Sequence, residues 1–427
     1  MSAPPSYLEL LINNKPFRWL WLGQVVSFFG DWFKTIALFT IVQGATGSAT
    51  AIAAVIIAKM LPIFLVVPIA GPLIDRFDRR ILLLVTDVVR AALVLMLIVA
   101  HWLHNLTLLY AILVVQVCFT GVFIPARTAV VPQLTTREEL PVAIALSSGS
   151  WSVMLAFGAA AGGVVTHLMG VENALILDSM SYLLSALFLF QLPSLPPRSS
   201  GESGDASFAE GLRHLKARPF LAALLAQKSM LALAGGAVVM LPLYGNGLFA
   251  ATAGPLFIGL LYALRGVGAL LGSMGIRPIL GDAPRTMERL VAPGFLILSI
   301  GLVVVYFAPS IWWAAAGFCL SSIGTGVVWV MSGTLSQLAS EQAYRGRIFS
   351  MEWGAFTLTS SVVSWLAGYV VDSHGCTPRL VMGVSAGLML LPAIGWLVVL
   401  KLARRHQWES MASRTIVETV PTDVSQS

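Results

Sequence analysis

Gly71-Pro72-Leu73-Ile74-Asp75-Arg76-Phe77-Asp78-Arg79-Arg80 decides the fold. Its last six residues carry five charges, in a chain where 11% of residues are charged. Long apolar runs flank it on both sides. Two carboxylates and three guanidiniums left unpaired in hydrocarbon would each cost several kcal/mol. The stretch therefore reads as a tight turn at a membrane face between two transmembrane helices. It is either a solvated turn obeying the positive-inside rule or a gate latch whose charges pair differently in two conformations.

Composition extends this reading to the whole chain. Of 427 residues, 57% are hydrophobic, and the mean hydropathy is +0.85. A soluble globular chain is nearer ~45–50% apolar and ~25% charged. The apolar runs are too long and continuous for barrel strands, so the expected class is an all-α polytopic membrane protein. Net charge is +6. The sidedness of that charge explains it better than nucleic-acid binding, and no nucleic-acid partner is expected. Cys118, Cys319 and Cys376 have no metal spacing, and neither a metal nor another cofactor is expected.

A window of about 20 residues places twelve spans. They are 17–43, 48–74, 81–101, 105–127, 139–168, 173–193, 219–247, 252–280, 289–307, 310–334, 347–371 and 379–402. With the N-terminus inside, 20 of the 26 Lys and Arg residues fall on the cytoplasmic side and only Arg379 on outer loops. That skew predicts both termini inside the cell. The break at 194–218 is rich in Pro, Gly and Ser and ends in a short basic pattern, as a linker does. The chain thus divides into a six-helix bundle at 1–193, a cytoplasmic linker at 194–218, a second six-helix bundle at 219–402 and a polar tail at 403–427. A faint repeat relates the halves: Phe17 and Gln24 match Phe220 and Gln227, and Gly71 and Arg76 match Gly272 and Arg277. At the Asp75 position the second half has Ile276. Parallel repeats with a site between them are typical of rocking transporters.

The pattern Gly71-xxx-Asp75-Arg76-xx-Arg79-Arg80, between spans two and three, resembles the loop signature of the major facilitator superfamily. Further stretches are Arg18-Trp19-Leu20-Trp21-Leu22-Gly23-Gln24, Gly30-Asp31-Trp32, Thr46-Gly47-Ser48, Pro125-Ala126-Arg127, Asp178-Ser179-Met180-Ser181-Tyr182 and Arg345-Gly346-Arg347. Together they resemble the exporters that include enterobactin and macrolide efflux proteins. The resemblance implies secondary active export, usually in exchange for protons, from the bacterial inner membrane, by a chain that is not an enzyme and works as a monomer. Gly158-Ala159-Ala160-Ala161-Gly162-Gly163 keeps the glycines of the fifth span in such exporters but lacks their proline.

Charges within spans point to function. Asp31 is the first candidate for proton coupling, with Asp178 and Glu352 next. Lys34 stands three residues from Asp31, at pairing distance on a helix. Lys34, Lys59, Lys228 and Arg265, with Gln24 and Tyr262, are the cavity candidates. Trp32, Gln116, Trp151, Trp329 and Trp353 are further groups for the path. For each charge taken singly, snorkelling or an ion pair locking two helices is the simpler account. As a set, four cations against one acid predict a cationic cavity and an anionic substrate. Asp87 and Arg90 are read as a structural pair. The latch would join Gly71, Asp75, Arg76, Asp78, Arg79 and Arg80 to Arg345 and Arg347 at the start of span eleven, with the arginines also meeting Asp78, Glu138 or Glu139.

Gly383-Val384-Ser385-Ala386-Gly387 fits a nucleophile-elbow pattern but lies in an apolar helix without the strand-to-helix turn that motif needs. The leading function is an ion-coupled exporter of a siderophore-like or amphipathic drug-like compound. A lipid or lysolipid flippase on the same helices, or a sensor that has lost transport, are the alternatives.

Overall fold

The computed structural model describes residues 5–196, 213–245, 253–275, 283–341 and 345–403. These are helical throughout, with turns between. The first half comprises α1 (Tyr7–Asn13), α2 (Lys15–Thr46), α3 (Ala49–Arg76), α4 (Arg79–Trp102), α5 (Leu106–Leu134) and α6 (Leu140–Leu189). The second comprises α7 (Pro219–Ala232), α8 (Gly235–Leu243), α9 (Gly254–Leu270), α10 (Pro284–Tyr306), α11 (Ile311–Ala339), α12 (Arg345–His374), α13 (Pro378–Leu388) and α14 (Leu390–Ala403). Eleven stretches among the described residues are long and apolar enough to cross a membrane.

Local chemistry sets the boundaries. Ser6 and Glu9 form a reciprocal capping box on the unexpected short helix α1. The side chains of Asn14, Ser48, Asp78 and Asn105 cap α2 to α5, each satisfying a backbone N–H that the helix cannot. Helix α2 ends at Gly47, whose φ of 63° suits a residue without a Cβ. The 50 residues of α6 correspond to two expected spans. At 1.5 Å per residue they would run ~75 Å, far more than a ~30 Å hydrocarbon core. The path breaks at Gly170, with φ 87° and ψ 167°, into arms 140–169 and 171–189. Two other expected spans are interrupted: the seventh at Leu233–Ala234 between α7 and α8, and the twelfth at Met389 between α13 and α14.

The core has a directional pattern. One large apolar cluster draws on both halves, from Phe33, Ile36 and Ala159 to Ile258, Leu261 and Phe295. A second cluster belongs to the first half alone and includes Leu10, Phe17, Ile74, Leu83 and Leu195. A small third cluster of Leu221, Leu225 and Ile348 belongs to the second half alone. The halves thus share one core, and each keeps a smaller cluster of its own as well. Leu95, Leu168, Phe190, Trp312, Trp313 and Leu391 are exposed, an apolar surface that fits lipid rather than water.

Candidate functional site

The halves meet along two crossings. In one, α3 lies antiparallel to α12: a Cβ on Gly368 would stand 2.7 Å from Thr50 Cα, and one on Gly354 would stand 2.5 Å from the Phe64 ring. In the other, the first arm of α6 lies against α9, where a Cβ on Gly163 would stand 2.9 Å from Gly259 Cα. Only glycine permits such backbone approach. Toward the 71–80 end, a Cβ on Gly71 or Gly149 would meet nothing within 4 Å among the described residues.

The closed end carries a cap made across the halves. Asp372, near the end of α12, accepts hydrogen bonds from the Ala49 N–H at 2.9 Å, the Thr50 N–H at 2.9 Å and the Ser48 hydroxyl at 2.5 Å. It neutralises the free N–H groups and positive dipole end of α3. Sequence reading did not single out Asp372. Its role depends on a partner more than 300 residues away, which no local pattern discloses.

Beneath this end lies a branched polar network in the first half. Gly30 brings α2 against the second arm of α6, so close that a Cβ there would stand 1.9 Å from Ser181 Oγ. Lys34 Nζ then donates to Asp31 Oδ1 at 2.8 Å and to the Tyr182 hydroxyl at 2.8 Å. It also lies 3.4 Å from Asp178 Oδ2. Tyr182 in turn donates to Asp31 Oδ1 at 2.6 Å and accepts from Gln116 Nε2 at 3.0 Å. Lys34 and Asp178 are fully buried, whereas the Asp31 side chain is 33% exposed. Arg90 pairs with Asp87 and stacks its guanidinium on Tyr182 and Phe123.

The second half has a simpler pair. Lys228 Nζ, on α7, donates to Glu352 Oε2, on α12, at 2.7 Å. Trp329 and Phe349 lie against the ammonium, with ring centroids 5.0 and 5.8 Å away. Trp329, Trp353 and Phe356 pack edge to face beside it.

Of the four cavity candidates, Lys59 and Arg265 have no carboxylate partner among the described residues. Lys59 donates to Thr35 Oγ1 and sits 5.9 Å from the Trp32 ring centroid. Arg265 sits 5.6 Å from the Tyr262 centroid. Trp32 and Tyr262 touch across the halves with centroids 5.3 Å apart. The expected cationic cavity is thereby corrected. Lys34 and Lys228 are buried inside ion pairs, because an ammonium in hydrocarbon needs a counter-charge, and of the four only Lys59 and Arg265 lack a carboxylate among the described residues. Gln24 is corrected too: it is buried and donates to the Ser147 carbonyl at 2.7 Å, bracing α2 against α6.

Arg127, expected in a cytoplasmic segment, instead lays its guanidinium on Phe28 with the centroid 5.0 Å away. The expected inner boundary of its span was set too early, since α5 continues to Leu134. Tyr182 entered the sequence reading only within a motif, yet it is the hub of the network. A tyrosine four residues beyond an intramembrane aspartate was the available signal.

At the 71–80 turn, Gly71, Asp75 and Arg76 are exposed, and neither charged residue makes an ion pair among the described residues. The expected arginine pairings with Asp78, Glu138 or Glu139 are not made. Asp78 caps Arg80 N–H and accepts from Ser194 Oγ at 2.6 Å and Leu195 N–H at 3.0 Å. Arg80 donates to the Phe190 carbonyl at 2.7 Å, and Arg79 is buried. Glu139 accepts from Asn14 Nδ2 at 3.0 Å and Thr136 N–H at 2.9 Å. Backbone groups and amides at this surface offer these acids fixed donors that cost less ordering than a long arginine. Burial pulls the Asp78 carboxyl upward, but the bonds from Ser194, Arg80 and Leu195 outweigh it and hold its pKa below the ordinary value. The Arg345 and Arg347 side chains and residue Arg277 lie outside the described residues.

Comparison with known proteins agrees with this architecture. Residues 11–424 match the family described as transmembrane secretion effector. The putative bacilysin exporter of Bacillus amyloliquefaciens is 28% identical over 379 residues, covering 87% of this chain and 93% of that protein. Macrolide efflux protein A of Streptococcus pyogenes is 23% identical over 373 residues, covering 84% and 90%. Alignments with two uncharacterized major facilitator transporters of Bacillus subtilis, 28% and 27% identical, span about half of those proteins, at 52% and 45%. Among solved structures, a bacterial homologue of the human lysosomal transporter Spinster, inward-facing and unoccupied, superposes with a TM-score of 0.64 at 14% identity, covering 93% of this chain and 96% of that one. The peptide-family transporter PepTSo gives 0.71 at 12% identity, covering 92% and 99%. This chain belongs to the transmembrane secretion effector family of the major facilitator superfamily and is a multi-pass protein of the bacterial cytoplasmic membrane.

Proposed function

We propose that the protein exports a small amphipathic molecule bearing an acidic group by alternating access, in exchange for protons. In this reading the two arms of α6 are separate spans, giving twelve in two bundles, 1–193 and 219–402, with both termini inside. The 194–218 linker and the 403–427 tail are then cytoplasmic. The observation that carries it is the arrangement of the crossings. Both are tight at the Asp372 end, while at the 71–80 end a Cβ on Gly71 or Gly149 would meet nothing within 4 Å among the described residues. With the 71–80 turn inside the cell, this is a form closed outward and open to the cytoplasm. Opening outward requires Asp372 to release α3. Closing inward would bring Asp75 to the first turn of α12, beside Arg345 and Arg347, where the free N–H groups attract an anion.

Proton exchange rests on Asp31 and Asp178 sharing one ammonium. Two carboxylates and one lysine in a low dielectric do not remain fully ionised, so one carboxylate holds a proton. Asp31 accepts two short hydrogen bonds and is the ionised member, while neither Asp178 oxygen accepts one. A proton entering at Asp31 would release Lys34 toward Asp178, a change the site makes without stranding a charge.

The test is export from proteoliposomes under an imposed pH gradient, across anionic, neutral, zwitterionic and cationic probes. At least one acid-bearing probe should move with proton counterflux, and Asp31→Asn should retain counterflow but lose its dependence on the gradient. A wild-type rate unaffected by the gradient would remove proton exchange, and movement of lysolipids alone would replace the reading with a flippase. Separately, Asp372→Ala removes a helix cap worth ~1 kcal/mol, so spin labels at the outer ends of α3 and α12 should show the outward-open population rise about fivefold.

A further inference from the structure

Three features of the site bear on what the cargo is. Asp31 Oδ1 is taken by Lys34 and Tyr182, but Oδ2 has no partner among the described residues, and a third of the side chain is exposed. Lys59, on the first half, spends one donor on Thr35, whose hydroxyl donates to the Asp31 carbonyl at 2.6 Å. Arg265, on the second half, has a ring beneath it but no carboxylate. Trp32 and Tyr262 lie between the two cations, so acid, cations and rings form one patch bridging the halves.

Electrostatics restricts which cargo can exchange for a proton here. Exchange requires proton and cargo to exclude one another. A purely anionic cargo on Lys59 and Arg265 would do the opposite. Its charge would favour the protonated Asp31, and the two would travel together. A cargo that also carries an ammonium resolves this, because the ammonium needs Asp31 ionised and displaces its proton.

We infer that the cargo is a zwitterion. Its ammonium binds Asp31 Oδ2, its carboxylate is held by Arg265, and its apolar part rests on Trp32. The guanidinium offers a bidentate seat for the carboxylate. Because Asp31 and Arg265 belong to different halves, the bound zwitterion also ties the halves together. The inference rests on the proton-exchange reading for its direction, but the pocket itself is tested apart from it.

Full-length protein in nanodiscs is titrated with phenylalanine, alanyl-phenylalanine and alanyl-alanyl-phenylalanine, each also in N-acetylated and C-amidated form. For at least one length the free zwitterion should bind about tenfold or more tightly than either capped form. Its binding should release protons into a weakly buffered solution near the midpoint of the Asp31 titration. Asp31→Asn should erase proton release and the preference over the acetylated form. Arg265→Gln should erase the preference over the amide, and Arg265→Lys should restore part of it. An acetylated form that binds as tightly as its zwitterion overturns the inference, as does the absence of binding by every zwitterion. Zwitterion preference in nanodiscs, combined with export that ignores a pH gradient, overturns proton exchange and leaves the pocket standing.

Discussion

The two halves hold their buried charges in different ways. In the first, Lys34 has two carboxylates and a tyrosine within reach, and Arg90–Asp87 stacks on the same tyrosine. In the second, Lys228 has Glu352 and aromatic rings. A branched network can lose or gain a proton and redistribute what remains. An isolated pair cannot, because losing one member leaves the other charged in hydrocarbon. The difference argues that the first half responds to protons while the second fixes the position of α12 against α7.

The sharpest way to break this contrast is Glu352→Gln. It strands the Lys228 ammonium and should destabilise the detergent-solubilised protein by ~3–5 kcal/mol, seen as a large fall in Tm. Lys228→Met combined with Glu352→Leu should recover most of that loss. A small effect of the single change would mean that the pair is not isolated. Asp178→Asn should cost far less, ~1 kcal/mol, because Asp31 still holds Lys34 with both short bonds. A loss as great as for Glu352 would show that the first-half network is no more adaptable than the second-half pair.

The smallest effect lies at the edge of the first half, outside the membrane. The Asp78 carboxyl ties the start of α4 to Ser194 and Leu195, and its pKa lies below the ordinary value. A depressed folded pKa contributes stability that is fully present above the ordinary carboxylate pKa and lost as pH falls through the folded one. Hydrogen exchange at Leu195 should therefore quicken only below the ordinary carboxylate range, and Asp78→Asn should remove that acid dependence. An unchanged acid profile in the variant would place the titrating group elsewhere.

How much could be read in advance differs from residue to residue. The Asp31–Lys34 and Asp87–Arg90 contacts are three residues apart on single helices, and helical geometry alone brings such side chains together. The Gly30-Asp31-Trp32 motif was legible as a motif, but its meaning was not. Gly30 matters because Ser181 crosses over it, and Trp32 because Tyr262 arrives from the other half. The pairing of Lys228 could not be read in advance, since Glu352 lies 124 positions along the chain, and Asp178, which also approaches Lys34, lies 144 positions from it.

The amino-acid sequence by itself determined that this is a helical membrane protein, and through its charged turn and motifs it pointed to a facilitator of the efflux kind. Those properties follow from hydropathy and charge sidedness, which act residue by residue along the chain. Tertiary structure alone decided that Asp372 caps α3, that Tyr182 joins Asp31 to Lys34, and that Lys59 and Arg265 have no carboxylate partner among the described residues. The physical reason is that hydrocarbon makes every buried charge seek a partner, and which partner it finds depends on how distant helices pack.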